Sequence, residues 1–205
     1  MSRILLVHGW GFDPRLWGPL RETQPGHAWL AVDLGYFGPA RLDLPPDLEL
    51  VVGHSFGCLW AMTHPDLQGI PLLAVNGFPR FAASPDCPHG TPLPVLDRML
   101  KRLQEAPREV LEAFHARCGT VSPQGDLQLA RLTLDLRRMR DEDARPLAAR
   151  QPVFACSAED DPLVAAALAR EAFAGNLRML SGGGHVLPMT RPGALAQIIQ
   201  EVLGQ

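Results

Sequence analysis

The chain predicts an α/β fold, a compact and mostly parallel sheet of about six strands with a helical lid inserted between two of them. Three observations predict it. Short apolar runs alternate with helix-like segments, the pattern of parallel strands joined by crossover helices. The alternation stops between Phe78 and Ala149, where three helical stretches follow one another with no strand-like run. Gly53-His54-Ser55-Phe56-Gly57 stands between a strand-like run and a helix-like one, the context in which such a pentapeptide makes a sharp turn that lifts its serine above a sheet edge.

In order, Arg3–Val7, Ala28–Val32, Leu48–Val52, Ile70–Val75, Pro152–Ala155 and Leu177–Leu180 read as strands. They are short and almost continuously apolar, as strands covered on both faces should be. Helices are expected at Cys58–His64, Val164–Ala174 and Pro192–Leu203, the last with proline at a permitted first-turn position and Gly204 at its end. Within the interruption a Pro- and Gly-rich lead from Phe78 to Pro94 precedes helices at Leu96–Gln104, Arg108–Cys118 and Asp126–Arg140. Residues 1–77 and 150–205 are thus expected to form the core, and 78–149 the lid over a pocket.

The 205 residues, 46% hydrophobic and 20% charged, fit one globular domain. No apolar run is long enough to span a bilayer, and no signal-peptide pattern opens the chain, so a cytoplasmic location is expected. Cys58, Cys87, Cys118 and Cys156 have neither zinc-like nor C-x-x-C spacing and are expected reduced and buried. The net charge of −3 hides an asymmetry: Arg98 to Arg150 carries 11 basic against 8 acidic residues. No metal or organic cofactor is expected, nor a nucleic acid or membrane partner. No glycine-rich loop ends in the G-K-[S/T] of a phosphate cradle.

A serine hydroxyl needs a base to take its proton and a third group to hold that base. Ser55 is the candidate nucleophile. Glu159-Asp160-Asp161 follows the strand at Pro152–Ala155, so the acid is sought there: Asp161 first, Asp160 as fallback, Glu159 third, against a reading in which these acids cap the next helix. His185, after Gly182-Gly183-Gly184, is the one histidine downstream of that loop and the candidate base. His8-Gly9-Trp10-Gly11 follows the first strand, and the backbone N–H groups of Trp10 and Phe56 are expected to form an oxyanion hole. His8 is read as bracing that loop and His54 as a packing or turn residue. Trp10, Phe56, Trp17 and Phe78 are candidates to line an acyl pocket, the alternative being plain core. The chemistry that follows is acyl transfer to water, with a small acyl ester as substrate.

These residues, in the order Ser…Asp…His, resemble the α/β-hydrolase superfamily across nearly the whole chain; the Asp-Pro-Leu-Val run at 161–164 resembles its acid loop. More narrowly, Leu5-Leu6-Val7-His8-Gly9-Trp10-Gly11-Phe12 and the lid lead Asn76 to Asp86 resemble the pimeloyl-acyl-carrier-protein methyl ester esterases of biotin synthesis. That resemblance implies a serine carboxylesterase releasing methanol from a carrier-bound ester, with lid arginines holding the acidic acyl-carrier protein. Arg131, Arg138 and Arg145 recur every seven residues, beside Arg137 and Arg140, and would share one face if a single helix ran that far; Arg131 and Arg138 are the binding candidates. A solvated helix face is the alternative. The chain departs from the family between Val32 and Leu48, where a short Pro- and Asp-rich stretch leaves no room for the usual crossover helix, and it begins at the His-Gly strand without an N-terminal hairpin. Other readings are a general short-chain carboxylesterase or thioesterase and a catalytically silent scaffold used for binding. Dehalogenase or epoxide hydrolase chemistry would need a carboxylate where this chain has Ser55.

Overall fold

In the computed structural model, which describes residues 1–204, six strands form one sheet. They are β1 (Arg3–Val7), β2 (Ala28–Val32), β3 (Leu50–His54), β4 (Leu72–Val75), β5 (Val153–Ala158) and β6 (Leu177–Leu180). Their spatial order is β2-β1-β3-β4-β5-β6 and every pairing is parallel, so all six carboxyl ends lie along one edge. In open sheets of this kind ligands sit outside that edge. The expected parallel sheet of six strands is present.

Side-chain alternation divides the core between the two faces. Leu5, Val7, Val51, Leu72 and Ala74 pack on one face, and Ile4, Leu6, Leu50, Val52, Leu73 and Val75 on the other. The helices are α1 (Gly18–Thr23), α2 (Phe56–Thr63), α3 (Leu93–Glu105), α4 (Pro107–Arg117), α5 (Leu129–Asp141), α6 (Arg145–Ala148), α7 (Ala166–Ala172), α8 (Leu187–Thr190) and α9 (Pro192–Val202). Single 3-10 turns lie at Pro14–Trp17 and Pro65–Leu67. Helix α1 packs on α9 and shares the second cluster through Leu20, while α2 shares the first.

Helices α3 to α6 all lie between β4 and β5. Their buried side chains, Leu96, Leu103, Leu111, Leu132, Leu136 and Met139, join the same cluster as α2. This segment therefore has no separate core; it is laid against the sheet domain. Its two ends meet in a neck, where Arg80 bridges Asp143 in antiparallel fashion and Ala144 N–H donates to the Pro79 carbonyl at 2.8 Å.

Several boundaries differ from the sequence reading. Strand β3 runs two residues later than Leu48–Val52, through Gly53 and His54, because its neighbours β1 and β4 bury those two non-apolar residues as fully as a valine. Helix α5 starts at Leu129 rather than Asp126, since Gln128 N–H is engaged by the Tyr36 carbonyl. It ends at Asp141, with Glu142 extended at φ −81° and ψ 144°. Arg145 begins a separate short helix, so the heptad-spaced arginines do not share one helical face. Between β2 and β3 no helix forms; the chain crosses β1 through a loop closed by paired Asp33 and Arg41.

Candidate active site

The pentapeptide builds a strained turn. Ser55 sits at φ 52° and ψ −121°, between the last residue of β3 and the first of α2. A non-glycine residue at positive φ costs energy that the surrounding structure must hold in place. Here Ser55 N–H donates to the Val75 carbonyl at 3.0 Å and the Ser55 carbonyl accepts from Cys58 N–H at 3.0 Å. The flanking glycines are needed for close approach. A Cβ on Gly57 would stand 2.2 Å from the Val7 carbonyl oxygen, and one on Gly53 would stand 2.9 Å from Cys58 Cα. The His-Gly loop lies equally close: a Cβ on Gly9 would come within 3.1 Å of Ser55 Cβ.

That juxtaposition puts the backbone of Gly9–Trp10 beside the start of α2. Neither Trp10 N–H nor Phe56 N–H donates to another described residue. His8 braces the loop as expected. It accepts from Leu34 N–H through Nε2 at 3.0 Å, which leaves its proton on Nδ1 to donate to the Gly9 carbonyl at 3.0 Å.

At the ends of β5 and β6 the structure separates the three acids. Asp161 accepts from His185 Nδ1 with both carboxylate oxygens, at 2.8 and 3.1 Å, and both residues are buried. Asp161 also caps the following turn, accepting from Leu163 and Val164 N–H, so the capping reading and the orienting one hold together. Asp160 instead accepts from Gly184 N–H at 2.9 Å, and Glu159 pairs with Arg170 at the surface. The opposite nitrogen of His185, Nε2, is buried and has no hydrogen-bond partner among the described residues. Its ring lies 4.8 Å from that of His54, the residue before Ser55, and Ser55 Oγ makes no hydrogen bond among the described residues.

His54 is a packing residue that also donates. Its Nε2 bonds the His185 carbonyl at 2.8 Å, and burial holds the ring well below its ordinary pKa, so it stays neutral. Asn76, at the end of β4 with φ 46°, was not legible as a site residue. It donates Nδ2–H to the Gly184 and His185 carbonyls at 2.9 and 2.8 Å and accepts from Ala158 N–H at 2.9 Å. The one hint in the sequence was an amide side chain directly after an apolar strand, of a type that tolerates the left-handed region.

The proposed lining residues are all enclosed. Trp10 and Phe78 are at most 1% exposed. Trp10 Nε1–H donates to the Leu132 carbonyl of α5 at 2.9 Å, and Phe78 stacks on Phe81 at 4.5 Å between centroids. Arg138 faces inward as well. Its guanidinium lies 5.3 Å above the Phe56 ring, donates to Glu142 and Thr63, and stands 3.6 Å from buried Asp135. Arg145 is taken up by Asp86 and Asp143. Arg131, half-buried on α5, has no ion pair among the described residues. A cleft of about 540 Å³ at the neck, lined by Arg80, Arg145 and Phe173, is separate from the site, since none of Ser55, Asp161 or His185 lines it. No group of three or more metal-ligating side chains occurs among the described residues, all four cysteines are buried and free, and no helix is long and apolar enough to cross a membrane.

Comparison with known proteins bears on the family and the fold. A family model described as "Alpha/beta hydrolase family" matches residues 4–198. The biotin biosynthesis bifunctional protein BioHC of Cellvibrio japonicus is 29% identical over 97% of this chain and 47% of its own length. A pimeloyl-[acyl-carrier protein] methyl ester esterase of Xylella fastidiosa strain M23 is 28% identical over 65% of this chain and 60% of its own. The chain thus spans about half to three-fifths of the curated relatives it matches. Among solved structures, an esterase from Exiguobacterium antarcticum superposes with a TM-score of 0.83 over all of this chain and 92% of that one, at 15% identity.

Proposed function

The chain belongs to the alpha/beta hydrolase family, and from that premise we propose that it is a serine carboxylesterase that cleaves a small acyl ester, the methyl ester of pimeloyl-acyl-carrier protein being the substrate best supported. One observation carries the reading of the chemistry. His185 presents Nδ1 to both oxygens of Asp161 and keeps a buried, unbonded Nε2 beside the Ser55 turn. An imidazole oriented by a carboxylate, with its second nitrogen bare, is a base waiting for a hydroxyl proton; such contacts often tighten only when substrate arrives.

In the proposed cycle Ser55 Oγ attacks the ester carbonyl carbon as His185 Nε2 takes its proton. The oxyanion is held by the N–H groups of Trp10 and Phe56. The C–O bond to the alcohol breaks as His185 returns the proton to the leaving oxygen. Water, deprotonated by His185, then attacks the acyl-serine; as the bond to Ser55 Oγ breaks, His185 returns that proton to Oγ and the acid is released. Asp161 holds the imidazolium throughout and takes no proton. No metal or organic cofactor takes part in this cycle. Residues 1–77 and 150–205 act as the core that carries this chemistry, and 78–149 as the lid that excludes water from it.

The substrate assignment rests on the names of the relatives and on Arg131, which makes no close ion pair among the described residues although its charge reaches buried Asp135. Arg131 is available to an acidic carrier, whereas Arg138 serves the lid from within. The enclosure of Trp10 and Phe78 favours a second reading, a short-chain carboxylesterase whose lid admits only small free esters. Labelling by a fluorophosphonate probe, lost in Ser55→Ala, tests the chemistry; a folded wild-type protein that stays unlabelled refutes it. Turnover of the carrier-bound pimeloyl methyl ester against p-nitrophenyl acetate then separates the two substrate classes.

A further inference from the structure

Two side chains outside the proposed triad converge on one atom of the base residue. The His185 carbonyl oxygen accepts from Asn76 Nδ2 at 2.8 Å and from His54 Nε2 at 2.8 Å. Because a carbonyl only accepts, the His54 proton is fixed on Nε2, leaving a bare Nδ1, buried and without a partner. Asn76 also holds the preceding carbonyl, Gly184, and through Oδ1 the N–H of Ala158, the last residue of the strand that leads into the acid loop. Asp160 completes the arrangement by accepting from Gly184 N–H at 2.9 Å.

The backbone needs such restraint. Gly182, Gly183 and Gly184 all have positive φ, at 81°, 121° and 61°, and a three-glycine approach to His185 has little stiffness of its own. His54 adjoins Ser55 in the chain, so its bond ties the base directly to the nucleophile's turn. Asn76 ties the base to the acid loop. Asn76, His54 and the His185 main chain are fully buried, or nearly so, and these bonds are therefore not traded with water.

We infer that Asn76 and His54 are positioning residues for the proposed hydrolysis, a two-donor clamp on the His185 carbonyl that fixes the imidazole between Asp161 and Ser55. This rests on the serine-esterase reading. Neither residue touches substrate; each acts through the placement of the imidazole, where a displacement near 1 Å costs roughly 100-fold in rate.

The test uses the purified chain, with fluorophosphonate labelling rates and p-nitrophenyl acetate kinetics. Asn76→Gly keeps the positive φ and removes both amide functions. His54→Phe keeps a ring and removes the donor, and His54→Gln restores an amide donor. Asn76→Gly and His54→Phe are each expected to slow labelling and kcat by roughly 10-fold with KM little changed. His54→Gln should recover most of the loss, and the double variant should lose more than the product of the two singles, since each donor partly covers for the other. Folded Asn76→Gly or His54→Phe with the wild-type labelling rate and kcat overturns the clamp, even if the melting temperature drops. If Asn76→Gly does not fold, the His54→Phe and His54→Gln pair decides alone. An unlabelled wild type instead refutes the esterase reading itself, a distinct outcome.

Discussion

The carboxyl edge of the sheet and the helices laid over it are held by different forces. Along the edge, His8, His54, Asn76 and His185 are at most 1% exposed and bond mainly to backbone atoms; the carboxylates close to them are Asp161 on His185 and, at 3.6 Å, Asp33 on His8. Across residues 78–149 the recurring contact is an arginine on a carboxylate: Arg80 on Asp143, Arg138 on Asp135 and Glu142, Arg140 on Asp97, Arg145 on Asp86. Arg140 joins α5 to α3, and Arg80 and Arg145 join the two strands of the neck. Neutral buried bonds are short-ranged and indifferent to salt, whereas half-exposed ion pairs weaken as ionic strength rises. A covering segment fastened this way can shift while the edge beneath it keeps its geometry.

The edge should therefore fail abruptly when its own atoms are changed. Ser55→Ala is expected to lower ester hydrolysis at least about 1,000-fold, and Asp161→Asn by roughly 1,000- to 10,000-fold, with the fold retained by circular dichroism. Activity within 10-fold of wild type in either variant would break the proposed assignment. Packing at the edge is as unforgiving. Gly57→Ala puts a methyl 2.2 Å from the Val7 carbonyl and should cost roughly 3 kcal/mol, read as a melting temperature lower by about 6 to 12 °C. Gly193→Ala in α9 meets nothing within 4 Å and should leave it unchanged or slightly raised.

How much of this could be read from the sequence follows the same division. Strands β1, β2 and β6 lie where the apolar runs begin and end, since each run is bounded by polar or glycine residues. Strand β3 was misplaced because Gly53 and His54 look like a turn until the neighbouring strands are known. The Ser…Asp…His order was legible, but which of Glu159, Asp160 and Asp161 meets His185 depends on the loop's path, and only the coordinates distinguish them. Asn76 was invisible as a site residue because its partners lie about 82 and 109 positions away. Over the helical segment, periodicity located α3 to α5 yet failed at Arg145, where Asp143 turns the chain by accepting from Arg145 N–H at 3.1 Å. Helix α8 and the turn at Pro14–Trp17 were missed, each being a single turn with too few residues to show a period.

On the covering helices, effects should be smaller and graded. Arg138→Leu takes from buried Asp135 the nearer of the two arginines that offset its burial, a burial that already raises the carboxyl above the usual range. A loss of roughly 3 kcal/mol is expected, appearing as faster proteolysis within residues 78–149. Cleavage confined to other parts of the chain would show that α5 is not what Arg138 secures. Arg131→Gln, which avoids setting a second carboxylate beside buried Asp135, should cost little stability and leave p-nitrophenyl acetate hydrolysis unchanged. It should raise KM for the carrier-bound ester by roughly 3- to 10-fold at low salt, an effect that fades as salt is added. An unchanged KM at low salt removes Arg131 from the docking proposal.

The finest distinction concerns protons, because each region buries a histidine. His54 lies in the edge, and His115 lies in α4 with its ring 4.9 Å from that of Phe12. Burial lowers the pKa of both. The unfolded chain takes up a proton at each near pH 6.5 and the folded chain only below that, so their contribution to stability is complete above about pH 6.5 and is lost as pH falls toward the folded values. His115→Phe removes one of these proton sites. It keeps an aromatic ring against Phe12 and gives up the Nδ1 bond to the Leu111 carbonyl and the ring's interaction with the Gly11 backbone. Between pH 6.5 and 5 the wild type should lose stability more steeply than the variant, by up to about 1.4 kcal/mol per pH unit. Denaturant melts at the two pH values measure that difference. Equal slopes would show that His115 binds its proton alike in the folded and unfolded chain, and would remove it from the pH dependence of stability.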